Sequence, residues 1–142
     1  MRIAVLNGVN LSALAQRDPV LYGGLSYSEL ETRIYEWARE LDVSVRCFQT
    51  NHEGEYVDWC HDLHGWADGV IVNPGAWTHY SYAIRDALDL VGAPVVEVHL
   101  SDITKREEWR RRSVIEDVVA KRILGKGPEG YREALVYLSR RA

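Results

Sequence analysis

The sequence predicts an α/β fold in which a sheet of five parallel strands carries helices on both faces. Two observations predict it. Short apolar segments alternate with helically spaced apolar stripes from end to end, and turn residues such as Pro74-Gly75 close the strand-like segments. A length of 142 residues suits one domain, 1–142, and leaves no room for two independent cores.

Taken in order, Arg2 to Asn7 reads as a buried strand that stops at a turn. Ser26 and Glu29 have the spacing of a capping box, and Leu30, Ile34, Trp37 and Leu41 then recur at helical intervals. Val43 to Gln49, rich in β-branched and aromatic residues, reads as a second strand. Tyr56, Trp59, Cys60 and Leu63 trace a helix, and Gly69 to Asn73 is a third, buried strand. Tyr80, Ala83, Ile84, Ala87, Leu88 and Val91 line the next helix, and Pro94 to Leu100 is the fourth strand. Thr104 and Glu107 have capping-box spacing for a short basic helix. A fifth strand falls at Val118 to Leu124, where Lys121 and Arg122 interrupt the apolar run, and Tyr131, Ala134, Leu135 and Leu138 mark the last helix. This alternation is that of a flavodoxin-like doubly wound sheet. Leu11 to Gly24 is long for a βα connection. It carries Arg17, Tyr22 and a Gly23-Gly24 hinge, which marks 11–24 as a mobile lid.

Composition narrows the function. A formal charge of -4 offers no net positive field for nucleic acid, although local basic clusters can hold a small anion. Cys47 and Cys60 fall in a strand and a helix with no disulfide framework, which points to reduced thiols in a cytoplasmic protein. No apolar run has the length of a membrane span, and the N-terminus enters a strand rather than a signal peptide.

In an open α/β sheet the ligand binds beyond the carboxyl ends of the strands. The residues expected there are Asn10 after the first strand, Asn73 and His79 after the third, and Glu97, His99, Leu100 and Ser101 at the end of the fourth, followed by Arg106 and Arg110. Glu97 and His99 are two apart on a strand, so they share a face. A carboxylate there fixes the imidazole tautomer and favours the imidazolium, which suits a general acid. A buried pair that only stabilises the strand would share the pattern. A free phenol ionises near pH 10. A guanidinium at ~4 Å is worth about 4 kcal/mol at an effective dielectric of ~20, enough to lower ionisation by roughly three pH units. Arg17 can thus make Tyr22 a base, although spacing alone favours an ordinary surface pair. Arg106 and Arg110 are four apart and read as one helix face beside Glu107 and Glu108. Backbone amides near Leu100 and Ser101 can take a carboxylate, with Asn73 as a further donor. His61 and His64 stand at helical spacing near His52, but no further ligand completes a zinc site.

Read together, Asn7-Gly8-Val9-Asn10-Leu11, Arg17-Asp18-Pro19-Val20-Leu21-Tyr22-Gly23, Gln49-Thr50-Asn51-His52-Glu53-Gly54-Glu55, Asn73-Pro74-Gly75-Ala76-Trp77-Thr78-His79, Arg85-Asp86-Ala87 and Glu97-Val98-His99-Leu100-Ser101 resemble type II 3-dehydroquinate dehydratases over nearly the whole chain. The resemblance implies a flavodoxin-like subunit in a dodecamer of four trimers. It also implies anti elimination of water from 3-dehydroquinate through an enolate, in the shikimate or quinate pathway, without metal or organic cofactor. Carried over by position, Tyr22 takes the C2 proton with help from Arg17, and Asn10 positions a water on the enolate. His99, supported by Glu97, protonates the departing C1 hydroxyl. Asn73 with the Leu100 and Ser101 amides holds the carboxylate, His79 and Arg110 bind ring hydroxyls, Arg106 serves lid closure, and Asp86 reaches a neighbouring subunit's site.

The chain departs from the family pattern at Val9, Ser12, Ala15, Asp102 and Thr104, and its Ser113 to Lys126 stretch is unlike the family's small, apolar one. The lid substitutions motivate an alternative, a paralogue acting on a related ring such as 5-amino-5-deoxy-3-dehydroquinate. From another class, the fold can serve as a flavin-binding or phospho-acceptor module. However, the first loop lacks a hydroxyl- and glycine-rich phosphate cradle, and asparagines stand where phospho-acceptor aspartates would cluster. A non-catalytic homologue kept for assembly is a third alternative.

Overall fold

The computed structural model describes residues 1–141. Five strands, β1 (Arg2–Asn7), β2 (Ser44–Gln49), β3 (Gly69–Asn73), β4 (Val95–His99) and β5 (Lys121–Leu124), form one sheet in the order β2-β1-β3-β4-β5. Every pairing is parallel. The order reverses at β1, between β2 and β3, and this topological switch point opens a crevice at the strands' carboxyl ends.

The helices are α1 (Pro19–Tyr22), α2 (Tyr27–Glu40), α3 (Glu53–Leu63), α4 (Tyr82–Asp89) and α5 (Glu129–Ser139). On one face, Ile3, Val5, Ile71, Val96 and Val98 pack with Leu30 and Ile34 of α2 and Leu135 and Leu138 of α5. On the other, Ala4, Leu6, Val70, Val72 and Val95 pack with Tyr56 and Cys60 of α3 and Ile84 and Leu88 of α4. Alternate residues of each central strand thus serve different cores, which explains why these strands read as unbroken apolar runs. Cys47 and Cys60 pack against opposite cores, and burial pushes each thiol up to about 12. Neither is a thiolate near neutrality.

Local chemistry accounts for most boundaries. The capping box at α2 forms as expected: the Glu29 amide donates to Ser26 Oγ at 3.1 Å, and the Ser26 amide to Glu29 Oε1 at 3.3 Å. The expected box at Thr104 and Glu107 does not form. Asp102 instead accepts from the Thr104 amide and hydroxyl, which closes a 3₁₀ turn over Ile103–Lys105. A second turn follows at Glu108–Arg110, so the short basic helix is absent. Tyr80 and Ala83 are exposed rather than part of the apolar stripe, because Ser81 caps the Ile84 amide and starts α4 after Tyr80. β5 is shorter than the expected Val118 to Leu124, since Glu116–Val118 forms a 3₁₀ turn.

The carboxyl ends of β1 and β3 are locked together. The Gly8 amide donates to the Asn73 carbonyl at 2.8 Å. A Cβ on Gly8 would lie 2.5 Å from the Pro74 carbonyl oxygen, so only glycine permits this approach. Beneath it, the fully buried Tyr131 hydroxyl donates to Asn7 Oδ1 at 2.6 Å and accepts from Asn73 Nδ2 at 3.0 Å.

Tyr131→Phe is therefore expected to lower stability by about 1–3 kcal/mol, the cost of orphaning buried polar groups. Urea unfolding checks this; an unchanged midpoint would show that the asparagines find other partners.

Candidate active site

A cavity of about 240 Å³ opens over the carboxyl ends of β1, β3 and β4. Asn10, Arg17, Tyr22, Asn73, His79, His99, Leu100, Ser101, Arg106 and Arg110 all line it, so the structure brings together nearly every site residue expected from the sequence. Glu97 stands behind His99, and Asp86 does not line the cavity. Among the described residues, three guanidiniums and no carboxylate face the space, which makes it attractive to an anion despite the chain's negative net charge.

On the sheet side, Glu97 is fully buried and His99 is 5% exposed. His99 Nε2 donates to Glu97 Oε2 at 2.7 Å. This fixes the tautomer and leaves Nδ1 as the nitrogen able to exchange a proton. Burial would raise the Glu97 carboxyl, but the His99 hydrogen bond and charge, the Arg122 guanidinium and the Ser113 hydroxyl hold it below the usual carboxylate range.

On the loop side, Leu11–Gln16 forms a 3₁₀ segment whose Leu11 and Leu14 are buried, so the first half of the expected lid is anchored in the core. Asn10 takes a left-handed conformation, φ 70°, and its amide donates to Asn51 Oδ1 at 2.9 Å. Ser12 accepts from Asn51 Nδ2 at 3.3 Å. Neither Ser12 nor Ala15 lines the cavity. The second half is helix α1, capped by Asp18 and ended by Gly23 at φ 91°. It delivers Tyr22 to the cavity, where Arg17 Nη2 donates to the phenolic oxygen at 2.6 Å and Arg106 Nη1 donates to it at 2.5 Å. The guanidinium carbons lie 4.0 and 5.2 Å from the ring centre. The surface-pair reading of Arg17 and Tyr22 therefore gives way to a double clamp.

Between these sides, His79 Nδ1 donates to the Arg112 carbonyl at 2.7 Å. Burial lowers the His79 pKa, partly opposed by that bond, and the charges of His99 and Arg110 lower it further. The ring is neutral at pH 7, with Nε2 left as an acceptor. Trp109 meets His79 edge-on at 5.4 Å, and the Arg110 guanidinium stacks on Trp109 at 4.1 Å. Arg110 is also held by Glu107 at 2.7 Å. Asn73 gives one amide hydrogen to Tyr131 and accepts from the Gly75 amide, which leaves its second hydrogen for a ligand. His64 is tied to the Leu90 carbonyl at 2.9 Å, and no three potential metal ligands cluster among the described residues.

Three residues carry more than the sequence reading gave them. Arg106 contacts the phenol directly rather than lying on a helix face. Trp109 supports His79, and Arg122 reaches Glu97. Only Arg122 left a sequence signal, as a charge inside an apolar run.

Comparison with known proteins is consistent across sequence and structure. Residues 1–139 match the family model described as dehydroquinase class II. A protein of Thermotoga petrophila named 3-dehydroquinate dehydratase is 50% identical over 141 residues, covering 99% of this chain and 96% of its own. The type II dehydroquinase structure from Butyrivibrio crossotus superposes with a TM-score of 0.94 at 43% identity, covering 97% of both chains. That from Propionibacterium acnes gives 0.95 at 42% identity, covering 98% of this chain and 96% of that one.

The lowered Glu97 value has a stability consequence. Its contribution is complete above the ordinary carboxylate value of about 4.3 and is lost as pH falls through the lower folded value. Glu97→Gln is expected to be less stable at pH 7 and to lose less on going from pH 5 to pH 3. Urea midpoints across that range check it; parallel losses in both proteins would remove Glu97 as the titrating group.

Proposed function

Because the chain belongs to the class II dehydroquinase family, a family of hydro-lyases, we propose that it removes water from 3-dehydroquinate to give 3-dehydroshikimate, with Tyr22 as base and His99 as acid. The observation that carries this reading is the clamp of Arg17 and Arg106 on the Tyr22 oxygen, in the same cavity as the Glu97–His99 pair.

Two charge-assisted hydrogen bonds converge on one phenolic oxygen, placing two cations where the base's negative charge resides. The phenolate takes a C2 proton, and the C–H electron pair delocalises onto the ketone oxygen as an enolate. A water held by Asn10 stabilises that charge. The enolate then reforms the ketone as the C1=C2 bond develops and the C1–O bond breaks. His99 Nδ1 delivers the proton that turns the departing hydroxyl into water, while Nε2 stays bound to Glu97. The substrate carboxylate lies against Asn73 and the backbone of Leu100 and Ser101. His79 Nε2 and Arg110 take ring hydroxyls. Anti geometry needs base and acid on opposite faces of the ring, and the two sides of the cavity supply them from different elements.

Closure belongs to residues 17–24 of the lid, hinged at Gly23 and Gly24, since Leu11 and Leu14 are anchored. Arg106 would couple closure to chemistry, because it bridges Tyr22 and the Ser101 hydroxyl. In this reading the domain works in a trimer, itself part of a dodecamer, and Asp86, 80% exposed on its side chain, completes a neighbour's site. Among the described residues, no helix is long and apolar enough to cross a membrane. Ser12 and Ala15 lie off the cavity, so the substitutions that motivated the amino-analogue alternative give it no support.

Following enone absorbance with purified protein, 3-dehydroquinate and excess chelator tests the reaction; no absorbance would overturn it. Tyr22→Phe is expected to lower kcat by at least ~10²–10⁴-fold with the fold intact, and near-normal turnover would remove Tyr22 as base. Arg17→Ala should move the acidic limb of the rate profile to higher pH, because a phenol losing one cation ionises later. The Arg17→Ala, Arg106→Ala pair should move it further, and a fixed limb in both would exclude the clamp. Asp86→Ala should raise KM, and unaltered KM would dismiss the neighbour's contribution.

A further inference from the structure

Glu97 has two oxygens, and His99 uses one of them. The other, Oε1, accepts from Arg122 Nε at 3.1 Å. Arg122 lies on β5 directly across the ladder from Glu97. Its Nη1 donates to Glu116 Oε2 at 3.0 Å, and its Nη2 is buried without a partner among the described residues. Arg122 does not line the cavity.

We propose that Arg122 is a positioning residue that sets how readily His99 gives up its proton, acting through Glu97. This rests on the reading of His99 as the acid. A buried carboxylate whose only counter-ion is an imidazolium holds that proton hard, because releasing it strands a naked charge in the interior. Arg122 removes that penalty: Glu97 keeps a cation at 3.1 Å whether His99 is charged or neutral. The imidazolium becomes a stronger acid, and the carboxylate stays ionised and oriented after the proton leaves. Glu116, with a side chain 57% exposed, draws on the same guanidinium and tempers its effect on Glu97.

The remaining groups around His99 do not substitute for this contact. His79 approaches from the turn after β3, Arg106 and Arg110 from the 103–110 segment, and Arg17 and Tyr22 from the lid, all on the cavity side. Behind the ring, Ser113 reaches Glu97 as a neutral donor. Tyr56 of α3 also faces Glu97, as a neutral phenol. Arg122 is the cation bonded to the carboxylate itself; Glu116 is its hydrogen-bonded partner, and Asp102 is a second carboxylate within its field.

The test is to follow the His99 ring titration by NMR in the purified protein, together with the pH profile of kcat on 3-dehydroquinate. Arg122→Gln is expected to move the His99 titration and the alkaline limb of kcat upward by about one pH unit, with lower kcat below that limb. Arg122→Lys should recover part of the shift. Glu116→Gln, at an exposed position, should move both in the opposite direction, and it carries the test if the Arg122 variants do not fold. A His99 titration that stays put in Glu116→Gln and in a folded Arg122→Gln overturns the proposal. A titration that moves while the rate profile does not would uphold the coupling and overturn His99 as the acid.

Discussion

The site is organised around a carboxylate that has no access to water. Glu97 is fully buried in the middle of β4, where an uncompensated charge would cost several kcal/mol. Its two oxygens must therefore be occupied, and they are, by the imidazole of His99 and the guanidinium of Arg122. That requirement fixes which ring nitrogen of His99 faces the cavity and ties β4 to β5 by a side-chain bond as well as a ladder.

The opposite wall is built on other terms. Tyr22 comes from a short helix in a long connection; its ring packs half-buried against the core, and its hydroxyl is held by charge. Arg17 comes from its own segment and Arg106 from the loop after β4, 84 residues on in sequence from Tyr22. A guanidinium cannot be switched off by proton loss, so the phenolic oxygen always meets two cations when the segment is in place. Because Arg106 also reaches Ser101, the wall that carries the phenol is fastened to the strand end that carries the imidazole. The two walls differ in kind: a buried pair on one side, and on the other an ionic clamp on a half-buried phenol.

Much of this is legible in the amino-acid sequence. Period-two spacing put Glu97 and His99 on one face, and sheet topology put their strand end beside Asn73 and His79; both follow from backbone geometry that any strand obeys. The capping box at Ser26 was equally local. What the sequence did not disclose depends on distance in space. Arg17 and Tyr22 look like a surface pair until Arg106 is brought to the same oxygen. Arg106 and Arg110 at a spacing of four suggest a helix, yet Asp102 captures the Thr104 amide and hydroxyl and turns the chain into two short 3₁₀ turns. Tyr80 looks like part of a helical stripe, but Ser81 caps the Ile84 amide and starts the helix after it. Arg122 looks like a blemish in a strand because its partner is 25 residues away.

That blemish has a second physical use. β5 is an edge strand, and an unbroken apolar edge invites pairing with another chain. Charged residues at Lys121 and Arg122 blunt it. Successive strand residues point to opposite faces, so of these neighbours only one can meet Glu97; the other, Lys121, lies over the Tyr137 ring on the far side at 5.5 Å. Edge protection alone would be satisfied by two solvated lysines. An arginine at the position in register with a buried carboxylate, forking to Glu116 on its outer side, protects the edge and neutralises the interior with one residue. The charge pattern of the last strand is thereby accounted for by its place in the sheet and by the buried carboxylate it faces.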